Sequence, residues 1–362
     1  MLLFLGCEKG MKKFLLLILF ISVFLFPSGS VSAIEPITDD NSVRKLVRQI
    51  ESLSQGGLIN LTFKSKIDDS FQPMLIKVPD GYTKTKSWPL LVVLHGLGDG
   101  PIIVEPINSM VQIGPFGRGD LWYRGIGRQD LFECIELAKR IFNIDPDRIY
   151  LCGFSMGGAG TFDLGLKYPD TWAACVPVCG AAGELELVAN GNNLPFWINT
   201  GSEDRVMPAK YSKKAYEKAR ELGFDHWKYT EYEDMGHSFW IDWGKIEKWL
   251  LEQKRVQKPS RISFTCDGHQ RAYWAEIIEK SDCQSSARID VKITSQNIEV
   301  KTSNVVDYSL YLKDAPVKLS EKIIITENGS KIFEGKLSEE GIFSRDIDAW
   351  EYLMDEWGNL GE

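Results

Sequence analysis

Three uninterrupted apolar runs constrain the fold of this chain more than any other feature. They are Leu90–Leu94, Ile149–Gly153 and Trp172–Cys179, and amphipathic stretches typical of helices lie between and after them. A run without polar alternation suits a strand buried on both faces, as in a parallel sheet covered by helices. Strands that alternate with helices through short links form βαβ units. The sequence therefore predicts an α/β fold, with a mostly parallel, doubly wound sheet and helices on both of its faces.

The last third of the chain has a different sequence pattern. After Pro259, short strand-like segments follow one another without helices, and Asn328-Gly329 is a strong hairpin turn signal. We expect a small β-rich module of sandwich type there. The predicted domains are an α/β domain over residues 34–257 and a β-rich domain over residues 258–362.

Residues 1–33 are expected to be a secretory signal peptide. A basic pair precedes the apolar run Phe14–Phe26, and small residues up to Ala33 offer a cleavage site. The run is too short to cross a bilayer comfortably, so we expect no stable membrane span after cleavage. Met11 resembles a natural start, and residues 1–10 are then expected to be a mis-called extension. The mature protein is therefore predicted to be secreted or periplasmic.

Charge and cysteine content limit the partners and cofactors. The formal net charge of −8 argues against nucleic acid, which requires a basic face. Export places six cysteines in an oxidising compartment, and Cys266 and Cys283 lie in a more polar segment than the rest. We expect these two to form a disulfide. No His/Cys cluster has zinc spacing, so we expect neither a metal nor a cofactor.

The strongest local motif is Gly153-Phe154-Ser155-Met156-Gly157-Gly158. It follows the second apolar run and precedes the helix-compatible stretch Ala159–Tyr168. A strand, a tight turn that holds a serine and then a helix are the context of a nucleophile elbow. The glycines allow a strained turn and close packing of neighbouring backbones. The same pattern also arises by chance in loops, but the flanking strand and helix favour Ser155 as a nucleophile.

A serine needs a base, and the chain has four histidines: His95, His226, His237 and His269. In this fold class the base follows the serine and the acid in chain order, which excludes His95. His269 falls in the β-rich module, and His226 begins a predicted strand. His237 lies in the loop directly after that strand, where a catalytic base is expected. We therefore predict His237 as the base.

The acid is expected in the loop that follows the strand Leu194–Asn199. Asp204 in that loop is the predicted acid, which would hold His237 in the correct tautomer, and Glu203 is its nearest rival. Asp225 and Asp234 are expected to be solvated loop carboxylates.

A tetrahedral intermediate also needs donors for its oxyanion. The backbone N–H of Met156, directly after the nucleophile, is one expected donor. The second is expected in the glycine-rich loop at residues 95–100, from Leu97, with Gly98 as the alternative. We expect His95 to orient this loop by hydrogen bonding.

Together these motifs resemble the α/β-hydrolase superfamily. They are His95-Gly96-Leu97-Gly98-Asp99, the Ser155 motif, Gly201-x-x-Asp204 with Pro208, and Gly236-His237-Ser238. Within the superfamily the chain is similar to serine esterases of the phospholipase/carboxylesterase, feruloyl-esterase or prolyl-oligopeptidase-like (dienelactone-hydrolase-related) group. The resemblance covers roughly residues 60–255 and implies a Ser155–Asp204–His237 triad that forms an acyl-enzyme. The chain has a serine where dienelactone hydrolases have a cysteine, and it lacks the propeller of true prolyl oligopeptidases.

The segment Glu105–Arg128 is expected to border the active-site mouth. Its side chains either contact the substrate or anchor the loop, and the sequence favours neither interpretation. Aromatic rings there could stack on an aromatic acyl group or a sugar, and a cation could meet a carboxylate. The candidates are Trp122, Tyr123, Arg118 and Arg124, with Trp240, close behind His237, as a further wall of the pocket.

The main hypothesis is a secreted serine hydrolase that cleaves carboxylic esters. Extracellular location and aromatics near the site favour small-molecule esters or esters on plant or cell-wall polysaccharide, such as feruloyl or acetyl esters. The alternatives are an exported prolyl-oligopeptidase-like peptidase and a catalytically silent binding protein on the same scaffold. The sequence does not reveal the oligomeric state.

Overall fold

The computed structural model describes residues 35–51 and 56–345. The predicted signal peptide, residues 1–33, lies outside these ranges, as does the end of the chain after residue 345. Within the described ranges, no helix combines the length and the apolar character needed to cross a membrane.

An α/β domain forms the first part of the described chain. Its elements in chain order are α1 (Asp40–Glu51), β1 (Gly57–Lys64), β2 (Phe71–Val78), β3 (Trp88–Leu94), β4 (Val111–Pro115), α2 (Ile126–Ile141), β5 (Ile144–Phe154), α3 (Met156–Lys167), β6 (Ala174–Val178), a 3₁₀ segment (Leu185–Asn193), β7 (Trp197–Gly201), α4 (Ala209–Glu221), β8 (Lys228–Tyr232) and α5 (Trp243–Glu252).

One eight-stranded sheet organises this domain, in the order β1-β2-β4-β3-β5-β6-β7-β8. Strands β4, β3, β5, β6, β7 and β8 run parallel, and β1 and β2 form an antiparallel edge. The predicted fold, a mostly parallel sheet with helices on both faces, is confirmed. Strand β4 was not predicted, because the whole segment Glu105–Arg128 reads as a loop. Its five residues instead pair with β2 and β3 inside the sheet.

Each face of the sheet packs against its own set of helices. Strand β3 is buried at every position, and its side chains alternate between two apolar clusters. Leu90, Val92 and Leu94 face the cluster that contains residues of α1 to α4. Leu91 and Val93 face the cluster built around α5. The two-sided burial explains why the strand shows no polar alternation.

Helix termini follow local sequence signals. Helix α4 begins directly after Pro208, and the glycine that follows its C-cap, Gly223, has φ +81°. A glycine in this left-handed conformation ends a helix without a side-chain clash. Helix α5 begins at an N-cap, Asp242, whose carboxylate accepts the Lys245 amide at 3.1 Å.

A β-rich module follows the α/β domain. Its strands are β9 (Arg261–Cys266), β10 (Gln270–Ala272), β11 (Ala275–Glu279), β12 (Ala287–Thr294), β13 (Asn297–Ser303), β14 (Asp307–Tyr311), β15 (Ile323–Glu327), β16 (Ser330–Gly335) and β17 (Ile342–Ser344). They form sheets ordered β10-β11-β14-β17 and β16-β15-β13-β12-β9, which share one apolar core. The domain boundary predicted at residue 257 falls between α5 and β9.

Buried hydrogen bonds join the module to the α/β domain. Asn190, in the 3₁₀ segment, donates from its amide to the carbonyls of Leu166 and Thr265 at 2.9 Å and accepts the Thr265 N–H at 2.8 Å. Tyr273 donates its backbone N–H to the Asp170 carboxylate at 2.9 Å. The module is thereby fixed to the end of α3.

The predicted disulfide between Cys266 and Cys283 is wrong for this structure. Both cysteines are free thiols. Cys266 is buried in the module core, and its thiol donates to the carbonyl of Gly268 at 2.9 Å. Cys283 is exposed in the connection between β11 and β12. The Cys266 side chain faces the core and the Cys283 side chain faces solvent. The polar composition of this segment was therefore a misleading indication of a disulfide.

Candidate active site

The serine of the Gly-rich motif sits on a strained turn between β5 and α3. Ser155 has φ +56° and ψ −115°, a conformation that non-glycine residues rarely adopt. Its backbone N–H donates to the Val178 carbonyl at 3.0 Å, which ties the turn to β6. A Cβ at Gly157 would lie 2.2 Å from the carbonyl oxygen of Leu94, so only glycine fits between this turn and β3. The turn places Ser155 at the carboxyl edge of the sheet.

The predicted acid and base lie in contact. Asp204 Oδ2 is 2.8 Å from His237 Nδ1, and Oδ1 of the same carboxylate accepts the amides of Val206 and Met207 at 2.9 and 2.8 Å. The Asp204 side chain is fully buried, whereas His237 is partly exposed. Three donors hold the carboxylate in one orientation. Asp204 therefore fixes the imidazole with Nδ1 toward the protein interior.

The loop that carries His237 lies over the end of the strand that carries Ser155. The rings of Phe154 and His237 have centroids 4.7 Å apart, and Phe154 is the residue directly before the serine. In the described part of the chain no hydrogen bond engages His237 Nε2 or Ser155 Oγ. Hydrogen bonds of this kind are often long in free enzymes and shorten when substrate binds.

The rival carboxylates and histidines have other environments. Glu203 is exposed, and Asp225 is an exposed partner of Arg220 at 2.6 Å. His226 Nε2 lies 3.0 Å from the Gly191 carbonyl, and His269 pairs with a glutamate of the β-rich module. None of these groups contacts His237 through a described hydrogen bond.

The glycine-rich loop after β3 is held by two neighbours. The ring nitrogens of buried His95 lie 2.7 Å from the Gly96 carbonyl oxygen and 2.9 Å from that of Phe116. The Gly98 amide donates to Asp120 Oδ1 at 2.7 Å. Gly98, the alternative oxyanion donor, therefore already has an acceptor. The amide of Leu97 makes no hydrogen bond within the described residues, and its side chain is 59% exposed.

The segment between β4 and α2 divides into anchors and exposed groups. Tyr123 is completely buried, its hydroxyl accepts the His95 N–H at 2.7 Å, and burial raises its pKa. Tyr123 therefore anchors the loop, and its predicted stacking on substrate is wrong. Arg118 is likewise engaged, at 2.8 Å from Asp68 and 3.2 Å from Asp130. Trp122 is 40% exposed and Arg124 is exposed.

Two further side chains stand at the ends of neighbouring loops. Trp240 is 73% exposed, three residues after His237. Cys179, directly after β6, is buried with φ +47°, and its thiol lies 3.4 Å from the Ser238 carbonyl oxygen. Its sulfur, an Asp204 oxygen and a His237 nitrogen all lie within 4.8 Å of one another. Sequence reasoning missed this cluster, because its members are far apart in the chain and only the ends of β6, β7 and β8 bring them together.

A parallel sheet with a serine on a strained strand–helix turn and a histidine–aspartate pair on later loops defines an α/β-hydrolase. Residues 132–246 match the family model described as phospholipase/carboxylesterase. The matched part of the α/β domain is therefore similar to the phospholipase/carboxylesterase group.

Individual relatives are distant. The chain is 27% identical over 117 residues to acyl-protein thioesterase 1 of Emericella nidulans, which covers 30% of this chain and 49% of that protein. It is 25% identical over 209 residues to acyl-protein thioesterase 1 of Candida albicans, and this match covers 45% of this chain and 90% of that protein. The chain thus spans about half the length of the first relative. A thermostable esterase structure matches with a TM-score of 0.49 and 24% identity, over 55% of this chain and 63% of that one.

Proposed function

We propose that this protein is a secreted serine hydrolase that cleaves carboxylic esters through an acyl-enzyme. The contact between Asp204 Oδ2 and His237 Nδ1, at 2.8 Å, carries the proposal. A buried carboxylate that orients an imidazole beside a strained serine turn activates a hydroxyl nucleophile. The basic, apolar and small-residue segments of residues 1–33 support export.

In the proposed mechanism, Ser155 Oγ attacks the ester carbonyl carbon while His237 Nε2 takes the hydroxyl proton. Asp204 stabilises the imidazolium that forms. The intermediate collapses, its C–O bond to the alcohol breaks, and His237 returns the proton to the departing alcohol. Water then attacks the acyl-enzyme with His237 again as the base, which releases the acid and restores Ser155.

The proposed oxyanion donors are the amides of Met156 and Leu97. Met156 is the first residue of α3, where backbone N–H groups lack a partner within the helix and the helix dipole favours negative charge. Leu97 lies in the adjacent loop, and the engagement of the neighbouring Gly98 amide by Asp120 favours it as the second donor. Such donors typically contribute about 3 kcal/mol each to transition-state stabilisation.

We propose esters on polysaccharides as the substrate class, with Trp122 and Trp240 as the contacting side chains. Both indoles are exposed, Trp122 to 40% and Trp240 to 73%. The loop of Trp122 touches the oxyanion loop through Asp120, and Trp240 follows His237 in the chain. Exposed aromatic rings at a site mouth stack on sugar rings or aromatic acyl groups such as ferulate. Trp240→Ala is expected to raise KM for such an ester and leave stability unchanged.

Protein-linked acyl thioesters are a second candidate substrate class, because the two relatives compared above bear the name acyl-protein thioesterase. A panel containing methyl ferulate, an acetylated xylan, a palmitoyl thioester and an aminoacyl p-nitroanilide separates these classes. It also tests the peptidase alternative. Turnover confined to the anilide would replace the esterase proposal with a peptidase.

Replacing the proposed nucleophile tests the function directly. Ser155→Ala is expected to abolish hydrolysis of p-nitrophenyl acetate while the circular dichroism spectrum and melting temperature stay close to those of the wild type. Ser338→Ala, at an exposed serine of the β-rich module, is the matched control and is expected to remain active. Wild-type turnover by the Ser155→Ala protein would contradict the mechanism. Absence of turnover and of fluorophosphonate labelling in the wild type would support a silent binding protein.

A further inference from the structure

Cys179 belongs to the immediate surroundings of the proposed triad but has no role in the proposed mechanism. It is brought there by the end of β6, while the loops after β7 and β8 bring Asp204 and His237. Its sulfur, a carboxylate oxygen of Asp204 and a ring nitrogen of His237 lie within 4.8 Å of one another. Three groups of the kinds that bind metals therefore lie close together.

We propose that Cys179, Asp204 and His237 form a binding site for a thiophilic divalent cation such as Zn²⁺, and that occupation of this site switches off hydrolysis. The site itself follows from the geometry of these three side chains. The inhibition rests on the proposed function, because it requires His237 to be the catalytic base.

The donor set matches zinc in chemistry and in size. Sulfur, imidazole nitrogen and carboxylate oxygen are the ligands that zinc binds in proteins, whereas Mg²⁺ and Ca²⁺ take oxygen ligands. Zinc–ligand distances of about 2.0 to 2.3 Å in a tetrahedron imply ligand–ligand separations of about 3.4 to 3.6 Å. To bind zinc, the Asp204–His237 contact of 2.8 Å must widen by about 0.6 Å. The longest distance between two ligand atoms, which is at most 4.8 Å, must shrink by up to about 1.4 Å. Water completes the tetrahedron.

Access is expected from the His237 side. Cys179 and Asp204 are buried, and the imidazole is the partly exposed member of the set. A cation enters when the His237 ring moves outward, and the ring then closes over it through Nδ1. The carbonyl oxygen of Ser238, 3.4 Å from the Cys179 sulfur, limits how far the thiol can turn away.

The position of the cation explains why it would inhibit. A neutral imidazole carries one proton on one of its two nitrogens. A metal bound to Nδ1 leaves that proton on Nε2, the nitrogen that must accept the Ser155 proton. His237 then cannot act as a base, even though Ser155 and the oxyanion donors are unchanged.

Binding also releases a proton, because the Cys179 thiol must lose its proton to the solvent to become a thiolate ligand.

Metal binding can be measured without any activity. Co²⁺ is titrated into the Ser155→Ala protein, which lacks the nucleophile but keeps all three ligands. The expected result is an absorption band of sulfur-to-cobalt charge transfer at one equivalent. Cys179→Ala and Cys179→Ser in the same background should lack the band. Cys283→Ala, at the exposed thiol, and His269→Ala, at the exposed histidine–glutamate pair, should keep it.

Inhibition is measured with the wild type and p-nitrophenyl acetate. Zn²⁺ is expected to inhibit reversibly, with activity restored by EDTA. In Cys179→Ala the half-inhibiting Zn²⁺ concentration should rise at least about 100-fold, since loss of a group that merely orients a ligand already costs roughly 10- to 100-fold in affinity. Equal zinc sensitivity of wild type and Cys179→Ala would overturn the proposal.

The two measurements also separate the two proposals. A cobalt–thiolate band that depends on Cys179, in a protein without esterase activity, would support the metal site and refute the function. Absence of the band in Ser155→Ala, with normal esterase activity in the wild type, would refute the metal site alone.

Discussion

The Asn190 side chain offers a quantitative test of how the two domains are joined. Strand β9 lies at the edge of its sheet, and Thr265 on that strand turns its N–H and C=O away from β12. The Asn190 side-chain amide accepts the Thr265 N–H at 2.8 Å and donates to the Thr265 carbonyl oxygen at 2.9 Å. It thus replaces the strand that the edge lacks, and it also donates to the Leu166 carbonyl.

Asn190→Ala removes all three hydrogen bonds at a site that is 1% exposed. Each buried backbone group left without a partner costs about 1 to 3 kcal/mol. With partial access of water, we expect the free energy of unfolding to fall by about 3 to 5 kcal/mol. Asn193→Ala is the matched control, because this half-buried side chain makes a solvent-exposed hydrogen bond to the Arg261 carbonyl at 2.7 Å. Its expected cost is below about 1 kcal/mol.

Urea denaturation followed by circular dichroism measures both variants. The Asn190 variant should also exchange the amide hydrogens of β9 faster than the wild type, since the strand edge is open. Equal stability of the Asn190 and Asn193 variants would refute the view that Asn190 joins the domains.

Three further predictions concern the α/β domain. Asp204→Asn is expected to lower kcat for p-nitrophenyl acetate about 10⁴-fold without unfolding the protein, because His237 loses its oriented tautomer, and steady-state kinetics check this. Burial raises the pKa of Asp130 to about 6, so the folded state retains a proton that the unfolded chain releases near pH 4. Wild-type stability relative to Asp130→Asn should therefore fall by up to about 3 kcal/mol between pH 4 and 7, as measured by urea titration. Gly158→Ala is expected to lower the free energy of unfolding by at least about 2 kcal/mol, because its Cβ would lie 2.5 Å from the Val178 carbonyl oxygen. Gly244→Ala, at an exposed position of α5, is expected to raise it by up to about 1 kcal/mol, and thermal melting measures both variants.

Much of the fold could be predicted because its signals are local. A strand buried on both faces shows as an apolar run, and β3 is such a strand. The tight turn between β5 and α3 requires glycines beside the serine. The Ser155 motif and the strand-like and helix-like segments that flank it therefore predict this turn. Chain order then predicted that Asp204 and His237 meet, since parallel strands end at the same edge of the sheet.

The features that were missed depend on contacts between distant segments. Strand β4 has five residues within a long segment rich in turn formers, and its pairing with β2 identifies it as a strand. Tyr123 reads as an exposed loop aromatic, yet its hydroxyl is needed by the buried backbone of His95. Cys179 lies in an apolar run and is buried, and nothing in that run indicates that its neighbours come from two later loops.

The central claim is that Ser155 is a nucleophile activated by His237. Treating the wild type with a fluorophosphonate and sequencing the labelled peptide by mass spectrometry tests it most directly. The account predicts one adduct on Ser155, none in Ser155→Ala, and labelling slowed at least about 10³-fold in His237→Ala. An adduct on another residue, or undiminished labelling of the His237 variant, would contradict it.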